Sequence, residues 1–465
     1  MFRLLDPIGV DGEVVKIAVP GFCPIHVDSN DADTVFAGFV KRLGRQLPVG
    51  DRSLLRQFHR FVLSYIKDFP ILAPLTFQEW LDSTSFNELR KAQLMDAFNS
   101  LKGGLPNSRQ CSHIDTFVKT ECYDRLKHAR LINSRCDVVK VTFGPYAKSL
   151  ENWIYHNDHH FIKHVPIPDR PKLIRGLRRG GMRYFVTDYT AFESHFVSSF
   201  MDICECELYR HCFPLMGEWF SQVIMGKNRL HTRKGIRAQL IGRRMSGEVV
   251  TSLGNGFTNL MLTLFLSKIQ GRVIDGFVEG DDGIFCTNGP LNPKDYERLG
   301  FTIKIKEVSD PCFGSFCGLV CGESGEIIRD PISFIAKFGW THSFVTGGRR
   351  IMGELLRAKA LSTIYETPQC PIVSVVAHYA LDKTSNYNPR FIDDGYHISP
   401  DVLNVPKFCP SYDTRLLFAN LYGIPIMVQL EIERLIMVGN FQKVSQLLPL
   451  NKDMLWFSDR YIEIT

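Results

Sequence analysis

Two adjacent carboxylates sit between apolar runs in Gly276-Phe-Val-Glu-Gly-Asp281-Asp282-Gly-Ile-Phe-Cys286. Side by side they repel, so something cationic should compensate them. Hard divalent cations with oxygen ligands are the simplest candidate. A pair of Mg²⁺ ions would suit phosphoryl transfer, in which both the attacking and the leaving oxygen need stabilising. A solvated Asp-Asp-Gly hairpin turn would also account for the triplet. Asp188 offers a third carboxylate. It follows the apolar run Tyr184-Phe185-Val186 and precedes Tyr-Thr-Ala-Phe-Glu193, which predicts a strand carrying the carboxylate at its C-terminal end, beside a turn into a helix. Were that strand to pair beside the Asp281 hairpin, three carboxylates would converge as two-metal chemistry requires. Taken singly, Asp188 reads equally well as a helix cap.

A polar stripe lies between these positions. In Ser246-Gly247-Glu-Val-Val-Thr251-Ser-Leu-Gly-Asn255-Gly-Phe-Thr-Asn259, the residues Thr251, Asn255 and Asn259 recur at helical spacing and share one face, while Leu260, Leu262, Leu264 and Phe265 supply burial elsewhere on the cylinder. A polar stripe on a buried helix needs partners. The ribose and base of a nucleotide would serve, with hydroxyl and amide groups distinguishing a 2′-OH. Internal structural hydrogen bonds would serve as well.

The rest of the chain must hold these groups in place. Its 465 residues, 45% hydrophobic and 22% charged, allow a large core, in about two or three domains or one multi-lobed unit. No apolar stretch reaches the roughly eighteen residues of a membrane span; the nearest, 416–438, is broken by Gln429, Glu431, Glu433 and Arg434. The N-terminus lacks the basic start, apolar centre and small-residue cleavage site of a secretory signal. Thirteen cysteines, odd in number and irregular in spacing, predict reduced intracellular thiols rather than a disulfide framework. Net charge is +6, but between Arg170 and Arg244 fourteen Lys or Arg accompany six Asp or Glu. That concentration suits a polyanionic partner, although a solvated basic face has the same composition.

Helical periodicity is clearest over 51–69, where Leu54, Leu55, Phe58, Phe61, Val62, Tyr65 and Ile66 fall on one face. It is expected again over 77–98, 352–365, 371–382 and 425–448. Strands are expected at 114–120, at 183–187 and on both sides of Asp281. The chain therefore reads as α+β, strand-rich in the middle and helical at its end. His156, His159, His160 and His164 have spacing that could ligate a transition metal, yet no Cys or Glu pair nearby completes a tetrahedral set, and a solvated loop is expected.

Taken together these residues carry a resemblance. Asp188-x4-Glu193, Ser246-Gly247-x3-Thr251-x3-Asn255 and Gly280-Asp281-Asp282 resemble, in order and spacing, motifs A, B and C of viral RNA-dependent RNA polymerases. Val118-Lys119-Thr-Glu121, Lys127 and Ala129-Arg130-Leu-Ile-Asn-Ser-Arg135 are similar to motif F, the basic segment that holds the incoming triphosphate. The stretches 299–306 and Phe316-Cys317-Gly318 are similar to motifs D and E. Gly144-Pro-Tyr-Ala-Lys-Ser-Leu-Glu151 and Thr251-Ser-Leu-Gly-Asn255 look most like the tombusvirus-like and nodavirus-like polymerases of positive-strand RNA viruses.

The resemblance implies a right-hand polymerase fold with an antiparallel palm sheet and a helical thumb. Fingers with an N-terminal fingertip extension would occupy 1–182, the palm 183–324 with a fingers insertion near 205–243, and the thumb 325–465. It implies RNA-templated transfer of nucleotides from NTPs to an RNA 3′-OH, replicating a viral RNA genome, with Asp188, Asp281 and Asp282 holding two Mg²⁺ or Mn²⁺ ions. Lys119, Lys127, Arg130 and Arg135 would clamp the phosphates. Glu193 with Ser246, Gly247, Thr251 and Asn255 would read the 2′-OH, and Lys304 or Lys306 would be the general acid for pyrophosphate departure. The implied partners are RNA template, nascent RNA, NTPs and other viral replication proteins. The implied location is the host cytoplasm, at membrane-associated replication complexes reached through a partner. Glu193 departs from the family, most of which has Asp there, and lengthens the side chain by one methylene in the ribose pocket. The template-channel motif G falls near 77–94.

Overall fold

The computed structural model describes residues 31–123, 127–233, 235–342, 344, 346–391 and 400–448, with short pieces at 15–16, 18–19 and 25–26. Asp31 and Asp51 each start a helix by accepting a backbone N–H, from Thr34 at 2.6 Å and from Ser53 at 2.8 Å. Such caps satisfy donors that the first turn leaves free. The helices are α1 (Ala32–Leu43) and α2 (Arg52–Ile66), and α2 buries Leu54, Phe58, Val62 and Ile66 from the expected face. The single helix expected over 77–98 is instead two, α3 (Phe77–Asp82) and α4 (Glu88–Ser100). The break has a local cause. The Ser83 and Thr84 hydroxyls donate back to the carbonyls of Trp80 and Leu81, competing with helix continuation, and Asn87 caps the next start by accepting from Arg90 N. Strands β1 (His113–Val118) and β2 (Leu131–Arg135) then pair antiparallel and lead into α5 (Asp137–Asn157).

The middle of the chain contains β3 (Arg183–Tyr189), α6 (Glu205–Cys212), α7 (Gly217–Met225), β4 (Lys227–Thr232), β5 (Arg237–Ile241), α8 (Thr251–Ile269), β6 (Ile274–Glu279), β7 (Asp282–Thr287) and β8 (Ile303–Val308). Two four-stranded sheets result. One has the order β8-β3-β7-β6 with every pairing antiparallel. The other has the order β2-β1-β4-β5, so the β4–β5 hairpin returns from the middle of the chain to join β1 in parallel. Helix α8 is buried almost all round. Its Phe257, Met261 and Phe265 share a core with Phe58 and Val62 of α2 and with Val278 and Phe285 of the first sheet. A helix buried on every side gives its polar residues no access to bulk water, which is why the stripe on it matters.

The last part is helical: α9 (Arg349–Glu366), α10 (Val373–Lys383), α11 (Tyr412–Tyr422), α12 (Ile426–Met437) and α13 (Phe441–Leu447). They form their own core around Met352, Leu356, Val376, Phe418, Ile432 and Ile436. The one helix expected over 425–448 is two, because Gly439 at φ 75° takes the left-handed conformation that ends helices and Asn440 caps the next by accepting from Lys443 N. Among the described residues no single helix is long and apolar enough to cross a membrane; α11 and α12 qualify by length and composition only as a pair bent by 97°. The fold is mixed α+β.

Candidate active site

Strand register assembles the carboxylates. Thr187 of β3 faces Gly283 of β7, so Asp188 and Asp282 come next on neighbouring strands, and Lys304 of β8 stands directly opposite Asp188. Strands β6 and β7 close through the two-residue loop Gly280-Asp281, with Glu279 paired to Asp282. Gly280 has φ 61°, in the left-handed region, and a Cβ there would touch nothing. The need for glycine is thus conformational, as in the tight hairpins whose twist matches that of a sheet.

Asp281 and Asp282 are half-buried and crowded, while Asp188 is exposed. Burial pushes Asp281 up to about 6, and Glu193 and Asp188 add repulsion while Arg130 opposes it. Burial pushes Asp282 up to about 7, reinforced by Asp281 and Asp188 against a hydrogen bond from Cys317. Desolvation and like charge both disfavour ionisation unless a cation intervenes. An all-oxygen donor set of this kind fits Mg²⁺ or Mn²⁺. The three are set wider than a closed cluster: among the described residues, the trio whose ligand atoms all lie within 4.8 Å is Asp158, His159 and His160, at another place.

A pH dependence follows. The folded chain keeps protons on Asp281 and Asp282 that an unfolded carboxyl would release near 3.8. Without divalent cations, their contribution to stability is therefore present below that value and is lost as pH rises through 6 to 7. In chelator, the melting temperature of Asp282→Asn minus that of the parent should grow in favour of the variant between pH 4 and pH 7. A constant difference would contradict the crowding.

Glu193 lies on the turn that follows β3. Asn255 of α8 donates from Nδ2 to Glu193 Oε1 at 3.4 Å, and Arg244 Nη1 donates to Asn255 Oδ1 at 3.4 Å, which orients the amide with its N–H groups toward Glu193. Arg244 is fully buried, paired with the equally buried Glu205 and seated 4.5 Å from the centroid of the Phe196 ring. Tyr209 Oη donates to Glu205 at 3.0 Å. Asn259, next along the stripe, donates to the carbonyls of Gly280 at 3.3 Å and Asp282 at 3.1 Å. Both amides thus find partners within the chain, Asn255 a carboxylate near Asp281 and Asn259 the backbone of the Asp281 loop.

Ser246, Gly247 and Thr251, expected at the 2′-OH, make contacts within the chain. Ser246 Oγ donates to Leu131 O at 3.0 Å and accepts from Asn133 N at 3.2 Å. Gly247 approaches β2 so closely that a Cβ would stand 2.7 Å from Asn133 O. The Thr251 hydroxyl donates to Glu248 O at 2.9 Å. Ser246 and Gly247 clip the loop before α8 onto β2. Arg135, expected at the phosphates, is likewise engaged within the chain. Alternation along β2 turns Leu131, Asn133 and Arg135 inward, and Arg135, 1% exposed, gives its donors to Glu248 at 2.9 and 3.0 Å and to Asn228 at 2.8 Å.

The outward cations remain. Lys119 and Arg130 share Glu121 at 3.2 and 3.4 Å, and Lys127 lies over the Tyr123 ring at 5.6 Å. Arg42 of α1 joins them, a residue that sequence reasoning missed. Burial pushes its guanidinium down from the ordinary value and Arg130 adds to this, while Glu193 and Glu121 oppose. Arg45, just beyond, donates to Thr190 O at 3.0 Å. Basic residues in the last turn of a helix are common and gave no distinctive signal; only the packing of α1 on β2 brings Arg42 here. Lys304 Nζ lies 3.5 Å from Asp188 Oδ2, whereas Lys306 stands opposite Val186, further from the loop; both line one shallow cleft with Asp188 and Asp282.

No family model matches the chain. Two curated proteins are similar to it, the RNA-directed RNA polymerases of Atlantic halibut nervous necrosis virus and greasy grouper nervous necrosis virus, each 23% identical, over 205 and 206 residues respectively. The match covers 41% of this chain and 21% of each relative, so the chain matches about a fifth of the length of these curated proteins. The similarity to these two polymerases agrees with the resemblance carried by the order of the motifs.

Proposed function

We propose that the protein is an RNA-dependent RNA polymerase that copies a viral RNA genome, and that its fold is a right hand. The observation that carries the reading is the placement of Asp188 and Asp282 on adjoining antiparallel strands with Asp281 in the loop that joins β6 to β7, and Glu193 and Asn255 near them. The all-antiparallel sheet with α8 is the palm, over about 183–324. Return of the β4–β5 hairpin to β1 supports a fingers insertion near 205–243 in addition to fingers over 1–182. The separate helical core supports a thumb from 325 onward. RNA template, nascent RNA and NTPs are the partners. Other viral replication proteins would bring the chain to membrane-associated complexes in the host cytoplasm.

Asp188 and Asp281, with Asp282 in support, would hold two Mg²⁺ or Mn²⁺ ions, which when bound activate the RNA 3′-OH and neutralise the triphosphate and leaving pyrophosphate. Lys119, Lys127, Arg130 and Arg42 hold the triphosphate. Glu193 and Asn255 receive the ribose 2′-OH, the first as acceptor and the second as donor. Lys304, the lysine nearer to Asp188, gives a proton to the departing pyrophosphate.

The test is incubation of the purified chain with an RNA template, four NTPs and Mg²⁺ or Mn²⁺. Product complementary to the template is expected, and its absence under both cations would refute the reading. Within that assay Lys304→Ala should lower turnover by about 10²-fold or more, the scale of a lost general acid, while Lys306→Ala should change it little; the reverse order would exchange their roles. Glu193→Asp should alter the preference for NTPs over dNTPs and leave metal dependence intact. Unchanged discrimination would remove Glu193 from the ribose pocket.

A further inference from the structure

The segment from Asp158 to Phe161, between α5 and β3, runs along the outer edge of β6. Val278 N donates to His160 O at 2.8 Å, and Phe161 bridges to Val278. Side chains from two distant parts of the chain meet there. His159 Nε2 lies 3.2 Å from Asp275 Oδ1, and His160 Nε2 lies 3.9 Å from the same oxygen. The other nitrogen of His160, Nδ1, is 2.7 Å from Asp158 Oδ1, and Asp158 Oδ2 accepts from Tyr65 Oη at 2.6 Å. A carboxylate that holds one N–H of an imidazole leaves the opposite nitrogen as a lone-pair donor, the arrangement found behind metal-binding histidines. Arg179 pairs with the other oxygen of Asp275, while Oδ1, turned to the histidines, also accepts from Gly276 N at 2.8 Å.

We propose that His159 Nε2, His160 Nε2 and Asp275 Oδ1 bind one transition-metal ion of the Zn²⁺ class, with Asp158 and Tyr65 fixing the His160 ring. Two imidazoles and one carboxylate with a water in the fourth position are a Zn²⁺ donor set, whereas the oxygen-only Asp188 group favours Mg²⁺ or Mn²⁺. Asp275 lies near the start of β6 and the Asp281 loop follows its end. The ion would therefore tie the edge of the catalytic hairpin to the end of α5 from the side remote from Asp281. The inference does not depend on polymerase activity.

The test is titration of the chelator-treated full chain with Co²⁺ and then Zn²⁺, following visible absorption and melting temperature. One equivalent of Co²⁺ should give tetrahedral bands without thiolate charge transfer, and Zn²⁺ should displace it and raise the melting temperature. Asp281→Asn should behave like the parent. His159 is 68% exposed, so His159→Gln should melt at the parental temperature without metal, yet bind at least about tenfold more weakly; Asp158→Asn should weaken binding by about 10- to 100-fold through the ring it orients. Failure of the parent to retain Co²⁺, a thiolate charge-transfer band, or parental affinity in both His159→Gln and Asp275→Asn would overturn the proposal.

Discussion

Asp281→Asn will stop RNA synthesis while leaving the chain as stable as the parent or more so. Loss of one preorganised electrostatic group costs about 10²- to 10³-fold in turnover, and a residue that also places a cation should cost at least that. The amide keeps the size of the side chain. It leaves intact the Gly280 conformation and the bonds from Asn259, which go to backbone carbonyls rather than to Asp281 itself. It also removes a charge that repels Asp282, whose carboxyl would then ionise more easily. In chelator at neutral pH the variant should therefore melt no lower than the parent. The pairing of lost activity with kept or raised stability separates a chemical role from a structural one. It is read from RNA product on a gel and from thermal melting of the same preparations. Equal product from both proteins, or product with dNTPs alone, would sink the polymerase reading.

Arg244→Met will destabilise the chain by about 3–5 kcal/mol, because it leaves the Glu205 charge buried without its partner. Both side chains are 0% exposed. Replacing the pair together, Arg244→Met with Glu205→Leu, should recover most of that loss, since the desolvation penalty of a buried pair offsets much of its attraction. Recovery of stability should not restore function in full. The double variant lacks the donor that orients Asn255 toward Glu193, so its preference for ribonucleotides should fall. Urea unfolding of the two single variants and the double measures the coupling. A cost below about 1 kcal/mol for Arg244→Met, the scale of an exposed pair, would mean that water reaches the pair.

The legible parts of the site were those governed by short-range rules. The end of β3 at Asp188 and the tight hairpin at Gly280-Asp281 follow from alternation and turn chemistry. The stripe of Thr251, Asn255 and Asn259 follows from helical period, and burial on all sides of α8 made partners obligatory. Where local competition was overlooked, boundaries failed: hydroxyls at Ser83 and Thr84 and the left-handed Gly439 divide helices that periodicity alone would have continued.

The chain's sequence by itself determined which elements form and which faces of them carry acid, amide or cation, because those properties repeat every two residues along a strand or every turn along a helix. Only the tertiary structure decided how those faces are used. Cross-strand register selected Lys304 over Lys306 as the neighbour of Asp188, and inward alternation on β2 gave Arg135 to Glu248. The approach of β2 turned Ser246 and Gly247 into a clip, the packing of α1 brought Arg42 beside Arg130, and the edge of β6 joined Asp275 to His159 and His160. Each of these depends on residues far apart in the chain, and no local period encodes the distance between them.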